Sequence, residues 1–158
     1  LIKIIVMIKV NVITSNKNWR KYVGRPEIYL KKKIKKLYQN NKFFKNKALE
    51  FSILLSDNLE IKKLNKRFRK NNKSTDVLSF PFYEKKEISE LLKKKNFFYL
   101  GDIIINLSKT INKHNSVKEK LDELWIHGFV HLLGGRHKSK KEHIKMKIFE
   151  KKIYKSIN

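Results

Sequence analysis

The chain has 158 residues, of which 41% are hydrophobic, which is enough for one folded domain and excludes a fully disordered chain. It contains no cysteine, so disulfide scaffolds and thiolate chemistry are excluded. Its formal net charge of +25 favours contact with phosphate polymers through counterion release. The charge alone fits an anionic membrane equally well, and the abundance of Lys, Asn and Ile also fits drift in an A/T-rich genome.

The first half of the chain predicts two strands and two helices. Residues 1–14 are rich in β-branched side chains and lack a small-residue cleavage site, so a strand is expected here rather than a signal peptide. Pro26 begins a helix, and residues 48–56 predict the second strand. Asp57 is the expected N-cap of a second helix. That helix carries four apolar side chains: Leu59, Ile61, Leu64 and Phe68.

The second half begins with a short strand at residues 77–82, which Pro81 places near an edge or an end of a sheet. Residues 85–96 are rich in lysine and predict a helical arm or a mobile excursion. Residues 99–107 predict a strongly apolar strand. The aromatic residues Phe97, Phe98 and Tyr99 could stack on nucleic-acid bases, but core packing is the preferred interpretation.

Two helices complete the prediction. Residues 117–133 carry the clearest helical pattern and are followed by two glycines, which are typical of a helix end. Residues 138–154 predict a basic amphipathic helix. Its inward face is expected to carry Ile144, Ile148, Phe149 and Ile153. Strands and helices mix without strict alternation, so the sequence predicts an α+β fold with one mixed sheet of about four strands, in a single domain covering residues 1–158. No apolar run approaches the ~20 residues of a membrane span.

The histidines suggest a metal site. His127 and His131 are four residues apart on the predicted helix, so they lie on one face, one turn apart. The two glycines allow the chain to reverse, and His137 can return as a third ligand. Three imidazoles leave an open position on Zn²⁺ or a similar ion, which is the arrangement of a catalytic site. His114 and His143 lack this geometry and are expected at the surface.

A metalloprotease is the less favoured of two alternative functions for such a site. Such enzymes carry a glutamate directly after the first helical histidine as the general base, and this chain has Gly128 there. That residue argues against peptide hydrolysis by this mechanism.

Three blocks of sequence occur together. The first is HGFVHLLGGRH at residues 127–137, the second is NKRFRKNNKSTDVLSFP at residues 65–81, and the third is LGDIIIN at residues 100–106. In this combination and order they resemble the YbeY family, which comprises metal-dependent endoribonucleases and rRNA maturation factors of bacteria.

The resemblance implies an α+β fold with a zincin-like metal helix packed on a mixed sheet, and it implies that His127, His131 and His137 bind one divalent ion, with Zn²⁺ expected. It implies that Arg69 matches the family's functionally important arginine, acting on the substrate in catalysis. The implied activity is cleavage of single-stranded RNA in 16S rRNA 3′-end maturation and ribosome quality control. The implied partners are precursor 16S rRNA and the small ribosomal subunit in the cytoplasm, with no membrane and no organic cofactor.

Arg136 departs from the family pattern, which usually has Asp before the third histidine. A cation there opposes a divalent ion, or else Arg136 points outward and binds a substrate phosphate. Structural roles also remain open for Asp76 as a cap or loop-closing residue, for Asp102 as a pairing residue within the sheet, and for Arg69 as a helix-end cation. A basic ribosome-assembly factor with a structural metal is therefore the main alternative to the enzyme.

Overall fold

The computed structural model describes residues 7–94, 96–111 and 116–158. Four strands form one sheet in the order β1-β2-β4-β3. Their bounds are β1 Ile8–Thr14, β2 Leu49–Ser56, β3 Val77–Pro81 and β4 Phe98–Asn106. The pairs β1–β2 and β2–β4 are parallel, whereas β3 pairs antiparallel with β4 and forms an edge of the sheet. This confirms the predicted mixed sheet of four strands, and the predicted α+β class.

Seven helices lie among the described residues. Their bounds are α1 Trp19–Val23, α2 Pro26–Asn40, α3 Asn58–Arg69, α4 Lys85–Leu91, α5 Leu107–Thr110, α6 Val117–Leu132 and α7 Lys140–Ile157. Asp57 caps α3, as predicted, because its side chain accepts a hydrogen bond from Glu60 N. The short helix α1 was not predicted, although Trp19 at its start is fully buried and donates to Ser56 O. No described helix is both long enough and apolar enough to cross a membrane.

One face of the sheet carries the main core. Helices α2, α6 and α7 pack there, and the side chains of β2 and β4 alternate, so that Ile103 and Ile105 point into this core while Ile104 points to the other face. The two tryptophans, Trp19 and Trp125, are fully buried in it. The core therefore fixes α6 on the sheet, and α6 is the helix that carries His127 and His131.

The opposite face is covered only in part. Helix α3 contributes Ile61 to a small cluster with Leu78 and Ile104. Of the other apolar residues of this helix, Leu59 and Phe68 are 63% and 58% exposed. Leu59 lies on the opposite side of the helix from Ile61, whereas Phe68 follows Ile61 by two turns and contacts Phe80 edge-on, with ring centroids 5.4 Å apart.

The predictions that Ile144 and Ile148 of α7 point inward were wrong. In α7 the buried residues are Met146, Ile153 and Ile157, whereas Ile144 and Ile148 are each 51% exposed. Since 3.6 residues make one turn, residues 144 and 148 lie on another side of the helix from residues 146, 153 and 157.

The lysine-rich segment after β3 is anchored rather than free. Helix α4 has a capping box between Glu84 and Glu87, and its Ile88 is buried in the main core. Of the aromatic residues that follow, Phe98 is buried as expected and Phe97 is 52% exposed.

Candidate metal centre

The helix that carries His127 and His131 has a complete N-terminal cap. The Ser116 side chain accepts a hydrogen bond from Glu119 N, and the Glu119 carboxylate accepts one from Ser116 N, each at 3.1 Å. This capping box satisfies two donors that the first turn leaves unpaired. It fixes where α6 begins, and hence which residues face the sheet.

Gly128 sets the distance between α6 and the sheet. A Cβ atom at this position would lie 2.7 Å from Ile103 Cγ2 and 3.0 Å from Ser79 Oγ, so only glycine fits without a shift of its neighbours. The residue after His127 therefore faces the sheet. A carboxylate at this position, where metalloproteases carry their general base, would have no room.

A tight turn brings the third histidine back toward the helix. Gly134 has φ of 89°, a left-handed conformation that L side chains rarely adopt, and its N–H donates to His131 O. Gly135 N donates to Val130 O. The chain then reverses, and His137 lies on the same side as the helical pair.

The three predicted ligands come together. The ring centroids of His127 and His131 are 4.6 Å apart, and the centroid of His137 is 5.9 Å from the first and 5.1 Å from the second. One ligand atom from each ring lies within 4.8 Å of the other two. The helical pair is half-buried, and His137 is exposed.

Hydrogen bonds orient both helical imidazoles. His131 Nδ1 lies 2.9 Å from the Gly135 carbonyl oxygen, which can only accept, so this nitrogen carries the proton. His127 Nδ1 lies 2.7 Å from Glu150 Oε1 of α7. In the neutral rings both Nε2 atoms then present lone pairs, and they face each other at 3.1 Å. The support of one imidazole by a carboxylate and of the other by a carbonyl is the usual arrangement around protein metals.

Glu150 is a site residue that the sequence interpretation missed. Its Oε2 also accepts from Lys147 Nζ at 2.9 Å, one turn earlier on α7. Burial alone would raise the pKa of this carboxyl, but the hydrogen bonds from His127 and Lys147 hold it below its usual range. Burial, with the neighbouring charge of His127, lowers the pKa of His131 and favours the neutral ring that binds metal. The only signal in the sequence was an acid in the middle of a strongly basic helix.

The donor set fits a divalent ion such as Zn²⁺. Two nitrogens bound to one tetrahedral zinc at ~2.0–2.1 Å are roughly 3.3 Å apart, close to the observed 3.1 Å between the Nε2 atoms. Three neutral imidazoles on one side leave coordination positions for water and substrate. The prediction of a metal-binding cluster at His127, His131 and His137 thus agrees with the geometry, and the identity of the ion stays a prediction.

A cavity of about 550 Å³ opens beside His127. Its walls are α6, α7 and the start of β3, and it also touches Glu150. Apolar floor residues and basic rim residues both contribute to it: Val77, Leu124, Tyr154, Lys151 and Lys155. The histidine cluster therefore borders, at His127, a groove of mixed character.

The two predicted substrate-binding arginines lie outside this cavity. Arg69 Nη2 donates to Ser79 O at 2.8 Å, and its guanidinium lies over the Phe80 ring, 5.7 Å from the centroid. Arg136 is exposed and lines a smaller cavity of about 230 Å³ between α4 and α7. Their roles toward substrate remain predictions.

Other singled-out residues have structural contacts. The Asp76 carboxylate accepts from Val77 N, which agrees with a loop-closing role, and it also lines the cavity beside His127. Asp102 accepts from the Tyr99 hydroxyl at 2.6 Å, and burial together with this bond raises the pKa of Tyr99 to about 12. His143 is exposed, with its ring 6.5 Å from that of His137, and His114 lies outside the described residues.

Comparison with solved structures agrees with this architecture. The solution structure of TM1509 from Thermotoga maritima superimposes with a TM-score of 0.53 at 22% identity, covering 92% of this chain and 89% of that one. A mixed sheet under a helix with two imidazoles four residues apart, followed by a third imidazole, is compatible with the predicted zincin-like class of metal site.

Sequence comparison identifies the family. The family model described as Endoribonuclease YbeY matches residues 13–158. A relative of that name from Pelagibacter ubique is 42% identical over 152 residues, which cover 93% of this chain and 90% of the relative. Another from Buchnera aphidicola of Acyrthosiphon pisum is 38% identical over 151 residues, covering 91% and 85%. The chain belongs to the YbeY endoribonuclease family, as its sequence blocks predicted.

Proposed function

We propose that this protein is a metal-dependent endoribonuclease that cleaves single-stranded RNA, and that its substrate is precursor 16S rRNA at the 3′ end. The observation that carries the proposal is the cluster of three imidazoles whose ligand atoms lie within 4.8 Å of one another beside an open cavity. Family membership supports the reaction type. The net charge of +25 supports a polyanionic substrate.

His127, His131 and His137 would hold the ion. A divalent metal bound there supplies Lewis acidity, polarising a phosphoryl oxygen or lowering the pKa of water. Glu150 keeps the His127 ring turned toward the other two, and the Gly135 carbonyl does the same for His131. The chain thus contributes two oriented nitrogen donors on α6 and a third donor, from His137, on the turn that follows.

Arg69 is proposed to bind the RNA and stabilise charge in the transition state. Arg69 donates one guanidinium N–H to Ser79 O on the edge strand β3. The Ser79 Oγ atom lies against α6 at Gly128. Arg69 and the histidine helix therefore contact the same residue of β3. Arg136 is proposed to bind a more distant phosphate, in keeping with its exposure.

The proposal extends to cellular setting and partners. We place the protein in the bacterial cytoplasm, acting on the small ribosomal subunit, with Zn²⁺ as its metal. The support is the endoribonuclease activity for which its bacterial relatives are named and the chemistry of a three-imidazole donor set.

The test is cleavage of a fluorescent single-stranded RNA by zinc-loaded protein, with a duplex of the same sequence as the control substrate. Cleavage of the single strand by the wild type, lost with His131→Ala and with chelator, is the expected result. Product ends then define the attacking group, because a 2′,3′-cyclic phosphate arises from attack by the RNA 2′-hydroxyl. If a folded His131→Ala variant supports rRNA maturation as well as the wild type, the protein is an assembly factor rather than an enzyme.

A further inference from the structure

The groove between α6 and α7 has a charge pattern that the metal cluster does not use. Lys147, Lys151 and Lys155 follow one another at one-turn intervals along the groove side of α7. Lys147 is paired with Glu150 at 2.9 Å. Across the groove Lys120 is paired with Glu123 at 3.2 Å. Among the described residues, no carboxylate lies within ion-pair distance of Lys151 or Lys155, so these two are the cations available to a ligand.

The floor of the same groove is apolar. Leu124 and Ile126 of α6 and Val77 of β3 line it, and Tyr154 of α7 adds a half-buried aromatic ring. Burial, with nearby carboxylates, raises the pKa of Tyr154, so it stays a neutral phenol. A volume of about 550 Å³ is within the range of small-ligand sites. An apolar floor with an aromatic ring and a cationic rim is the combination that binds single-stranded nucleic acid.

We propose that this groove is the subsite for the nucleotides flanking the scissile bond of a single-stranded RNA, with a base on the apolar floor against Tyr154 and the adjoining phosphates on Lys151 and Lys155. The inference rests on the proposed endoribonuclease function, because it names how that substrate reaches the metal cluster. His127 is part of the groove lining, so an RNA held in the groove lies beside the histidine cluster.

The carboxylates that pair with groove lysines favour binding of RNA over binding of any polyanion by charge alone. Glu123 and Glu150 neutralise Lys120 and Lys147, and Asp76 lies at the β3 end of the groove. The uncompensated charge is therefore confined to one side, along the last two turns of α7. A ligand must place its anionic groups along that side and its apolar surface on the floor.

The test uses the double variant Lys151→Gln/Lys155→Gln. The matched control is Lys31→Gln/Lys35→Gln, which changes two exposed lysines at the same spacing on α2, away from this groove and from the cavity that Arg136 lines. Binding of a labelled single-stranded RNA is measured by fluorescence anisotropy in EDTA, so that no cleavage or metal contributes. The groove variant is expected to bind about tenfold more weakly and to lower the slope of log affinity against log salt by about 1.4, since each phosphate contact on a single strand contributes ~0.7.

Tyr154 provides a second readout that charge alone would not change. Tyr154→Ala is expected to weaken RNA binding by about tenfold, whereas Tyr154→Phe keeps the ring and stays within about twofold of the wild type. Melting curves of each variant establish that it is folded. Polyglutamate serves as a competitor of matched charge and is expected to displace RNA poorly.

Equal RNA affinity of the groove and control variants would overturn the proposed subsite. Displacement of RNA by polyglutamate as efficiently as by unlabelled RNA would also overturn it, because the groove would then suit an acidic protein segment. These results leave the proposed reaction standing if the wild type cleaves RNA. Conversely, a wild type that binds RNA through the groove but never cleaves it, with zinc present, overturns the proposed function and supports the subsite.

Discussion

The three candidate ligands differ in how the fold holds them. His127 and His131 sit half-buried on α6, and each has its Nδ1 atom fixed by a hydrogen bond, to Glu150 and to the Gly135 carbonyl. His137 is exposed on the turn that follows, and no hydrogen bond to its ring is found among the described residues. Two ligands are therefore positioned before metal arrives, whereas the third is free to adjust. The difference indicates that the helical pair determines affinity and that His137 completes the site.

The largest expected effect comes from removing either kind of ligand. His131→Ala leaves one oriented imidazole, and zinc content measured by mass spectrometry should fall from about one equivalent to near zero. His137→Ala leaves the oriented pair and should retain at least ten times the zinc affinity of His131→Ala. Equal losses in the two variants, measured by titration against a chelator, would contradict the comparison.

Glu150→Gln should weaken zinc binding by about 10–100-fold, because the amide cannot stabilise the His127 ring as a carboxylate does. Lys147→Gln is the control, since it removes the other contact of the same carboxylate and leaves the bond to His127 in place. Unchanged zinc affinity in Glu150→Gln would show that Glu150 has no role in orienting His127.

Gly128→Ala tests the packing beneath the helical pair. The added methyl group would meet Ile103 Cγ2 at 2.7 Å, and this overpacking should exceed the higher helix propensity of alanine. We expect a net loss of ~1–2 kcal/mol in the free energy of unfolding, which lowers Tm by roughly 2–8 °C in metal-free protein. A melting curve with unchanged or raised Tm would show that the sheet accommodates the group.

The smallest effect is expected at the exposed end of the site. Arg136→Asp replaces a cation by an anion next to His137 and should tighten zinc binding by up to about tenfold, with an effect that shrinks as salt rises. Lys141→Asp makes the same charge change on an exposed position of α7 and should alter affinity less. Unchanged calorimetric affinity in Arg136→Asp would rule out a repulsive role for the arginine.

Sequence reasoning succeeded where local periodicity and motif spacing carry the information. The spacing of His127 and His131, followed by the glycine turn, placed all three imidazoles in one cluster, as the geometry has it. Strand β3 was expected near an edge or an end of a sheet because Pro81 cannot donate to a ladder, and it forms an edge.

Sequence reasoning failed where the contacts of a residue depend on which helices and strands pack together. Glu150 reaches His127 across 23 positions of the chain, and no local pattern specifies that contact. Ile144 and Ile148 looked inward from hydrophobicity alone, but the angle at which α7 packs buries Met146 instead.

The closeness of the ligands along the chain has a consequence for metal-linked stability. His127 and His137 enclose a loop of only about ten residues, so joining them restricts the unfolded chain little. Preferential binding to the folded form is then the main way in which the ion stabilises the protein, with a contribution of about 4.1 kcal/mol when free metal is 1,000 times Kd. Amide hydrogen exchange should register this gain first in α6 and in the turn at Gly134, and the thermal midpoint should rise with the logarithm of free zinc.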